Sequence, residues 1–399
     1  MFAPLFYPRS AGPYSILFPM RIGLDGIPLA AAKTGVGHYT FELARSLALV
    51  APSDDFTLVS PRPPNTLAAN ASQCLIPANL HYVRLKPGLL NWRWWSLSLP
   101  LYLRWRPFDL FHGTNYDIPL WTRRPSVVTI HDLSLLLHAD THEGHLVRRG
   151  RRRLPLMAQS ATMIITPSQS VKQEVCANLN IESSKVAVTP LAPRSIFRRI
   201  EREQTRETRR RLGVTDDFIL FVGTIEPRKN LITLAQAFVE MLRTTSLCPQ
   251  LVIAGQEGWL MNDFFSFIKE AGLHDRVCFT GYLGDEDLRA LYSSCSVFVY
   301  PSLYEGFGLP PLEAMACGAP VIASQVPAIL EAVGEAACLV NPKDVQALAG
   351  AIVRLLVDKQ AREQLSLTGI ERVKDFTWER TARCTVEVYR EALQMARNR

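Results

Sequence analysis

The sequence predicts an α/β fold of two domains, each built on a parallel sheet, and three observations carry the prediction. Short apolar runs of strand length alternate with helical patterns along the whole 399 residues, as crossover helices between parallel strands require. The runs fall into two sets, divided by a segment rich in arginine and glutamate, Leu191 to Leu212. Near the end of the second set, the run Ser296-Val-Phe-Val-Tyr300 passes through a glycine turn into a helix that starts at Pro310-Pro311 and has Gly318 past its end.

Taken in order, residues 1–19 lack the basic start and continuous apolar core of a secretory signal, so they are expected to be an extension without assigned function. The first set of predicted strands is Arg21 to Asp25, Phe56 to Ser60, His81 to Leu85, Asp109 to Gly113, Ser126 to His131, Met163 to Pro167 and Lys185 to Pro190. The second set is Phe218 to Gly223, Gln250 to Gly255, Arg276 to Thr280, Ser296 to Tyr300, Pro320 to Ala323 and Ala337 to Val340. The expected division is a first domain over 20–192, a solvated linker over 193–212, a second domain over 213–375 and a closing helical segment over 376–399. That last segment has apolar positions at Ala382, Val386, Tyr389 and Leu393.

Composition narrows the partners. With 48% hydrophobic and 20% charged residues the chain is an ordinary globular one. No apolar run approaches the roughly 20 residues that span a bilayer. The eight cysteines, at 74, 176, 248, 278, 295, 317, 338 and 384, form no Cys-x-x-Cys pair. They read as small buried hydrophobes in a reducing cytosol, and no Cys and His cluster has zinc spacing. The net charge of +7 conceals an asymmetry: residues 1–200 hold 22 Lys and Arg against 11 Asp and Glu, while the rest holds 22 against 26. Such a basic half suits nucleic acid, an acidic substrate or an anionic membrane.

The richest stretch is Ser302-Leu-Tyr-Glu305-Gly-Phe-Gly-Leu-Pro-Pro-Leu-Glu313-Ala-Met-Ala-Cys-Gly318. A helix start carries unpaired N–H groups and partial positive charge, so Gly306, Phe307, Gly308 and Leu309 suit a phosphate. Glu305 and Glu313 would repel that phosphate if it were their only partner; the hydroxyls of a sugar suit them better. A nucleotide sugar supplies both. The whole string resembles the Glu-x7-Glu signature of retaining glycosyltransferases of family 4, which have the GT-B fold of two Rossmann-like domains facing across a cleft. The resemblance covers about Met20 to Arg399. It implies a metal-independent transferase using a nucleoside diphosphate sugar, with Glu305 on the sugar and Glu313 on the ribose. It also implies that the closing helix, entered through Phe376-Thr-Trp378-Glu-Arg380, crosses back to the first domain; an ordinary last helix of the second domain is the alternative.

Arg228 and Lys229 stand on a loop at the carboxyl end of a strand, Phe218-Ile-Leu-Phe-Val-Gly-Thr-Ile-Glu226-Pro-Arg228-Lys229-Asn230. Ligands of open α/β sheets bind there, and two adjacent cations can neutralise a pyrophosphate. Asn230 is expected to cap the helix that follows. The stretch is similar to the Gly-x-x-x-Pro-Arg-Lys-Asn element of family 4, although many members have arginine where Thr224 stands.

In the first half, Lys33-Thr-Gly35-Val-Gly37-His38-Tyr39 opens a helix but has Thr40 where a dinucleotide fingerprint needs glycine, which excludes the NAD reading. It resembles the family loop that approaches the donor phosphates, with Gly37 the closest. Asp109-Leu-Phe-His112-Gly-Thr-Asn115-Tyr and Val128-Thr-Ile-His131-Asp132 each end a strand with histidine. A lone histidine there is more often a packed polar group; two facing one cleft suggest a site. By resemblance His131 contacts the transferred sugar, and His112 with Asn115 lies on the acceptor side. Asn91-Trp-Arg-Trp-Trp95, Trp105-Arg106 and Arg148-Arg-Gly-Arg-Arg-Arg153 suit either an anionic membrane surface or a core flanked by a solvated helix face.

The expected function is retaining transfer of a hexose, mannose from GDP-mannose first and glucose or another hexose from a UDP- or dTDP-sugar second. The acceptor is a glycan, lipid-linked, in bacterial surface polysaccharide. The site is expected to be cytoplasmic, peripheral on the inner membrane face, with no metal and no nucleic acid. Two other classes are consistent with parts of the sequence: a nucleic-acid binder using the basic half, which leaves Glu305 and Glu313 unexplained, and a nucleotide-sugar sensor without turnover.

Overall fold

The computed structural model describes residues 19–30, 35–64, 76–85, 93–120, 122 and 124–398. The leading extension up to residue 18, Lys33-Thr34, Cys74, Asn91-Trp92 and Arg399 lie outside the described residues. The first domain holds a seven-stranded parallel sheet: β1 (Arg21–Asp25), β2 (Asp55–Ser60), β3 (Leu80–Arg84), β4 (Leu110–Gly113), β5 (Ser126–Thr129), β6 (Met163–Thr166) and β7 (Val186–Val188), in the order β3-β2-β1-β4-β5-β6-β7. The second holds six parallel strands: β8 (Phe218–Val222), β9 (Gln250–Ala254), β10 (Val277–Gly281), β11 (Val297–Tyr300), β12 (Val321–Ser324) and β13 (Cys338–Val340), in the order β10-β9-β8-β11-β12-β13.

Both sheets are buried between helices, and this explains why their strands read as unbroken apolar runs. All four residues of β11 are fully buried, as are Phe218, Ile219, Leu220 and Phe221 of β8. In each sheet the strand order reverses once, between β1 and β4 and between β8 and β11, with Ile22 opposite Leu110 and Phe298 opposite Leu220. A crevice opens at the carboxyl ends of the strands at such a reversal, and the two crevices face each other.

The chain passes between the domains twice. The first passage is an extended crossover at about 189–200, with Ala192, Arg194 and Phe197 buried. The expectation of a solvated linker reaching residue 212 is corrected here. Arg206–Leu212 is a helix of the second domain packed on the helix Asp285–Ser294. Its charge misled the reading because one face turns inward. Arg209 is buried, with its guanidinium donating to Asp216 at 2.5 Å and to Thr205 at 3.2 Å, while Arg211 pairs with Asp287.

The second passage leads into the final helix, Trp378–Arg397, whose N-cap Thr377 accepts from the Arg380 N–H. This helix lies on the first domain, against the helix Gly35–Val50 and beside β5 and β6. Thr381 donates to the Pro190 carbonyl at 2.6 Å, and the Tyr389 hydroxyl meets His112 at 2.7 Å. The tryptophans divide between the two alternatives: Trp94 is buried with Leu99, Leu103 and Phe108, whereas Trp105 is 82% exposed.

Candidate functional site

The cleft between the two reversal points encloses a cavity of about 470 Å³ walled by both domains. On the second-domain side, two loops built at the ends of β8 and β11 are tied to each other. The Leu303 N–H donates to the Arg228 carbonyl at 2.9 Å, and the Arg228 guanidinium donates to the Tyr304 carbonyl at 2.9 Å. Asn230 contributes differently from the expected helix cap. Its backbone is left-handed (φ 59°) and its side chain caps nothing; instead its amide donates to the carbonyls of Pro301 (3.0 Å) and Pro342 (2.6 Å), clamping three segments.

Within this frame Glu305 pairs with both basic side chains: Lys229 Nζ donates to Oε1 at 2.6 Å, and Arg228 Nη1 lies 3.1 Å from Oε2 as an ion pair. The Tyr300 hydroxyl also donates to Oε1 at 2.9 Å, and Lys229 donates to the Tyr300 oxygen at 2.7 Å. A second carboxylate, Glu226, lies 2.5 Å from Arg228. Burial alone would push the Glu305 carboxyl up, but Lys229 and Arg228 outweigh it and bring it down to about 2. Burial pulls Lys229 down against the opposing pull of Glu305. Burial works the same way on Arg228, yet Glu305 and Glu226 prevail and raise it. The result is a compact salt-bridged cluster at the mouth of the β8–β11 crevice, whose basic groups are available to an incoming anion if Glu305 turns to another partner.

The Gly-Phe-Gly turn has its glycines for two distinct reasons. A Cβ on Gly306 would lie 1.9 Å from the carbonyl oxygen of His131, across the cleft. Gly308 has φ of +110°, which side-chain-bearing residues avoid. The helix Leu309–Ala316 follows. Because Pro310 and Pro311 have no N–H, the donors this helix start can offer an anion narrow to Leu309 and the turn before it. One helical turn on, Glu313 is buried. Burial raises its carboxyl to about 7, opposed by Arg194, whose Nε is 3.6 Å away.

The first domain supplies the facing wall. His131 sits two residues past β5, with Nε2 donating to the Thr114 carbonyl at 2.9 Å. This leaves Nδ1 as the acceptor nitrogen of the neutral ring. Burial lowers its pKa, against the Thr114 hydrogen bond. Tyr39 and Tyr116 hold the ring edge-on at 4.8 and 5.8 Å between centroids.

The two walls are locked together by hydrogen bonds. Ser168 donates to the Gly306 carbonyl at 2.8 Å. The Tyr304 hydroxyl accepts from the Leu133 N–H at 2.9 Å and donates to Glu174 at 2.6 Å. Glu331, from the second domain, accepts from the Gln169 and Ser170 N–H groups at 2.7 and 2.6 Å. It thus caps the start of a first-domain helix whose own N-cap is Ser168. Trp259 donates to the Thr141 carbonyl at 2.8 Å.

Of the residues singled out in the sequence, His131, Arg228, Lys229, Glu305, Gly306, Phe307, Gly308, Leu309 and Glu313 line this one cavity. Three do not: His112, Asn115 and Gly37. His112 is wholly buried between the Tyr389 hydroxyl (2.7 Å) and the Thr129 hydroxyl (2.8 Å), with burial lowering its pKa to about 3. In this position it braces the final helix. Asn115, half-buried after β4, is outside the cavity lining. Gly37 is buried within the helix Gly35–Val50, and its neighbours Gly35, Val36, His38 and Tyr39 form the wall instead.

Sequence reasoning did not single out Asp132, Arg194, Tyr282 or Asp285, all of which line the cavity. Asp132 follows His131 and was within reach of the same argument. Arg194 carries no local signal, since its role arises only when the crossover meets the second domain.

Comparison with known proteins agrees with this geometry. The profile described as "Glycosyltransferase Family 4" matches residues 33–192, and that described as "Glycosyl transferases group 1" matches residues 204–372. The chain is 31% identical over 384 residues to the O-antigen chain mannosyltransferase B of Escherichia coli, covering 93% of this chain and all of that one. Among solved structures it is similar to a sucrose-phosphate synthase from Thermosynechococcus elongatus (TM-score 0.74, 24% identity, 93% and 98% of the two chains). It is also similar to Anabaena HepE in complex with UDP-glucose (TM-score 0.73, 19% identity, 93% and 99%). The chain belongs to the family 4 glycosyltransferases and has their GT-B fold.

Proposed function

We propose that this glycosyltransferase moves mannose from GDP-mannose, with retention of configuration, onto a lipid-linked glycan of a bacterial surface polysaccharide. The observation that carries the reading is the salt-bridged Arg228–Lys229–Glu305 cluster at the β8–β11 crevice, set across the cleft from His131. The choice of mannose and of polysaccharide rests on similarity to an O-antigen chain mannosyltransferase along its full length.

In this reading the donor diphosphate takes the place of Glu305 on the cations. Arg228, Lys229 and the N–H groups of the Gly306–Leu309 turn stabilise the charge that grows as the sugar leaves. Glu305, displaced from the cations, accepts hydrogen bonds from sugar hydroxyls, and Glu313 accepts from the ribose. Tyr282 and Leu283, after β10, form the part of the cavity wall left for the base. The acceptor hydroxyl attacks on the face the diphosphate leaves, and the departing phosphate oxygen takes its proton; His131 holds the sugar from the opposite wall. No carboxylate base or metal ion enters this scheme.

The acceptor side is proposed to rest on an anionic membrane surface. Among the described residues no helix is long and apolar enough to cross a membrane. The helical segment that carries the exposed Trp105 and Leu101 is linked to the arginine-rich helix Gly144–Ser160 through one loop. In that loop Asp117 pairs with Arg153 at 2.6 Å, and the Leu120 N–H donates to Trp95 at 3.0 Å. Tryptophan beside arginine suits the headgroup layer.

The test is a transfer assay with GDP-mannose, UDP-glucose and dTDP-rhamnose on a lipid-linked glycan acceptor, with the anomeric configuration of the product read by NMR. An α-mannosyl product from GDP-mannose is expected. A β-linked product would overturn retention, turnover of another sugar nucleotide alone would overturn the donor, and donor binding without any transfer would favour a sensor.

A further inference from the structure

The crossover between the domains carries one buried cation, Arg194, with neighbours from three parts of the chain. Its Nη1 lies 2.7 Å from Asp285 at the start of a second-domain helix and 3.2 Å from Nδ1 of His38 in the first domain. Its Nε lies 3.6 Å from Glu313, and its guanidinium stacks over Phe197 of the crossover at 4.7 Å. Among the described residues it is the ion-pair partner of Glu313, and it lines the same cavity as Glu313, Asp285 and His38.

The distances differ in a way that matters. Asp285 is within hydrogen-bond reach, so it fixes the guanidinium. Glu313 lies farther, with Oε1 3.6 Å from Nε, so the same guanidinium pairs with it more loosely. A buried carboxyl set beside a fixed guanidinium is held in one orientation, and an oriented acceptor is what ribose hydroxyls require. His38 is the contact that makes the arrangement depend on the first domain being in place.

We propose that Arg194 is a positioning residue for donor recognition, aiming the Glu313 carboxyl at the ribose hydroxyls of the nucleotide, with its own guanidinium braced by His38 of the first domain. The inference rests on the reading of Glu313 as the ribose contact. A purely structural Arg194 would affect stability or all ligands alike; a positioning Arg194 affects the ribose hydroxyls selectively.

The experiment measures calorimetric affinities of the full chain for GDP and UDP, each against its 2′,3′-dideoxy analogue, for wild type, Arg194→Gln, Arg194→Lys and His38→Ala. Wild type is expected to prefer the ribose form about 10- to 100-fold, the scale of hydrogen bonds to a charged group. In Arg194→Gln the preference collapses to within about threefold, with the dideoxy affinity nearly unchanged, and Arg194→Lys restores part of it. A wild-type preference retained in full by Arg194→Gln would overturn the inference while leaving Glu313 as the ribose contact. The absence of any preference in wild type would overturn that contact and the inference together. If Arg194→Gln does not fold, His38→Ala decides: a severalfold smaller preference supports the coupling, and an unchanged one refutes it.

Discussion

The two walls of the cleft are built on opposite plans. The second-domain wall is a contiguous design: two loops at the ends of adjacent strands bring Arg228, Lys229 and Glu305 into one buried salt-bridged cluster, whose charges are matched by one another and by Glu226. The first-domain wall faces the cavity mainly with neutral rings, His131 and Tyr39, oriented by the Thr114 carbonyl and by ring edges, with the carboxylate of Asp132 beside them. A charged leaving group calls for the first plan and a neutral sugar and acceptor for the second. The difference teaches that charge handling is concentrated in short, spaced motifs, whereas the shaping of a neutral pocket is spread over distant segments.

The largest expected effect separates the walls directly. Lys229→Ala removes a cation from the proposed diphosphate site and is expected to lower kcat about 100- to 1000-fold, as loss of one preorganised transition-state donor does. It also leaves Glu305 with one cation fewer in a buried setting, so a lower melting temperature should accompany it. His131→Ala, on the neutral wall, should cost about tenfold in kcat/KM, the worth of one hydrogen bond to sugar, with nucleotide affinity unchanged in calorimetry. Equal losses for the two variants would break the comparison.

His112→Ala should leave kcat/KM near wild type at a temperature where the variant is folded. Removing the ring that joins Tyr389 and Thr129 should lower stability by about 1–3 kcal/mol, read from denaturant unfolding. A raised acceptor KM with unchanged stability would return His112 to the acceptor side.

The smallest effects are those of pH, and here the two glutamates of one motif have opposite signs. Glu305 is lowered to about 2 in the fold from its ordinary 4.5, so its contribution to stability is complete above 4.5 and is lost as pH falls towards 2. Glu313 is raised to about 7, so its contribution is complete below 4.5 and is lost as pH rises through 7. The stability difference between wild type and Glu305→Gln should therefore shrink on acidification below 4.5. That between wild type and Glu313→Gln should move against wild type between 4.5 and 7. Parallel pH curves for the two variants would contradict the assignment of one glutamate to the cations and the other to a mainly desolvated position.

The same contrast explains what could be read from sequence. The strands were legible because both sheets are buried on both faces, so each appears as an apolar run. Glu305, Gly306, Gly308, Arg228 and Lys229 were legible because each lies within a few residues of a strand end, where spacing alone brings it to the crevice. Asn230 was placed correctly but given the wrong task, since its amide bonds reach Pro301 and Pro342, more than seventy residues away. Arg206–Leu212 was misread because its composition hides which face is buried. His112 and His131 look alike in sequence, each at the end of a short strand, and only the final helix distinguishes them by covering one. Arg194 acquires its partners only when crossover, first domain and second domain meet.

The central claim, that the second-domain wall binds a nucleoside diphosphate sugar through its salt-bridged cluster, is tested most directly by calorimetric titration of the full chain with GDP-mannose, UDP-glucose and dTDP-rhamnose, repeated with Lys229→Ala. The account predicts binding of GDP-mannose in preference to the others, weakened about 10-fold or more in the variant, on the scale of a charge-assisted contact to phosphate. Binding of no sugar nucleotide by wild type, or binding of equal strength in the variant, would contradict it.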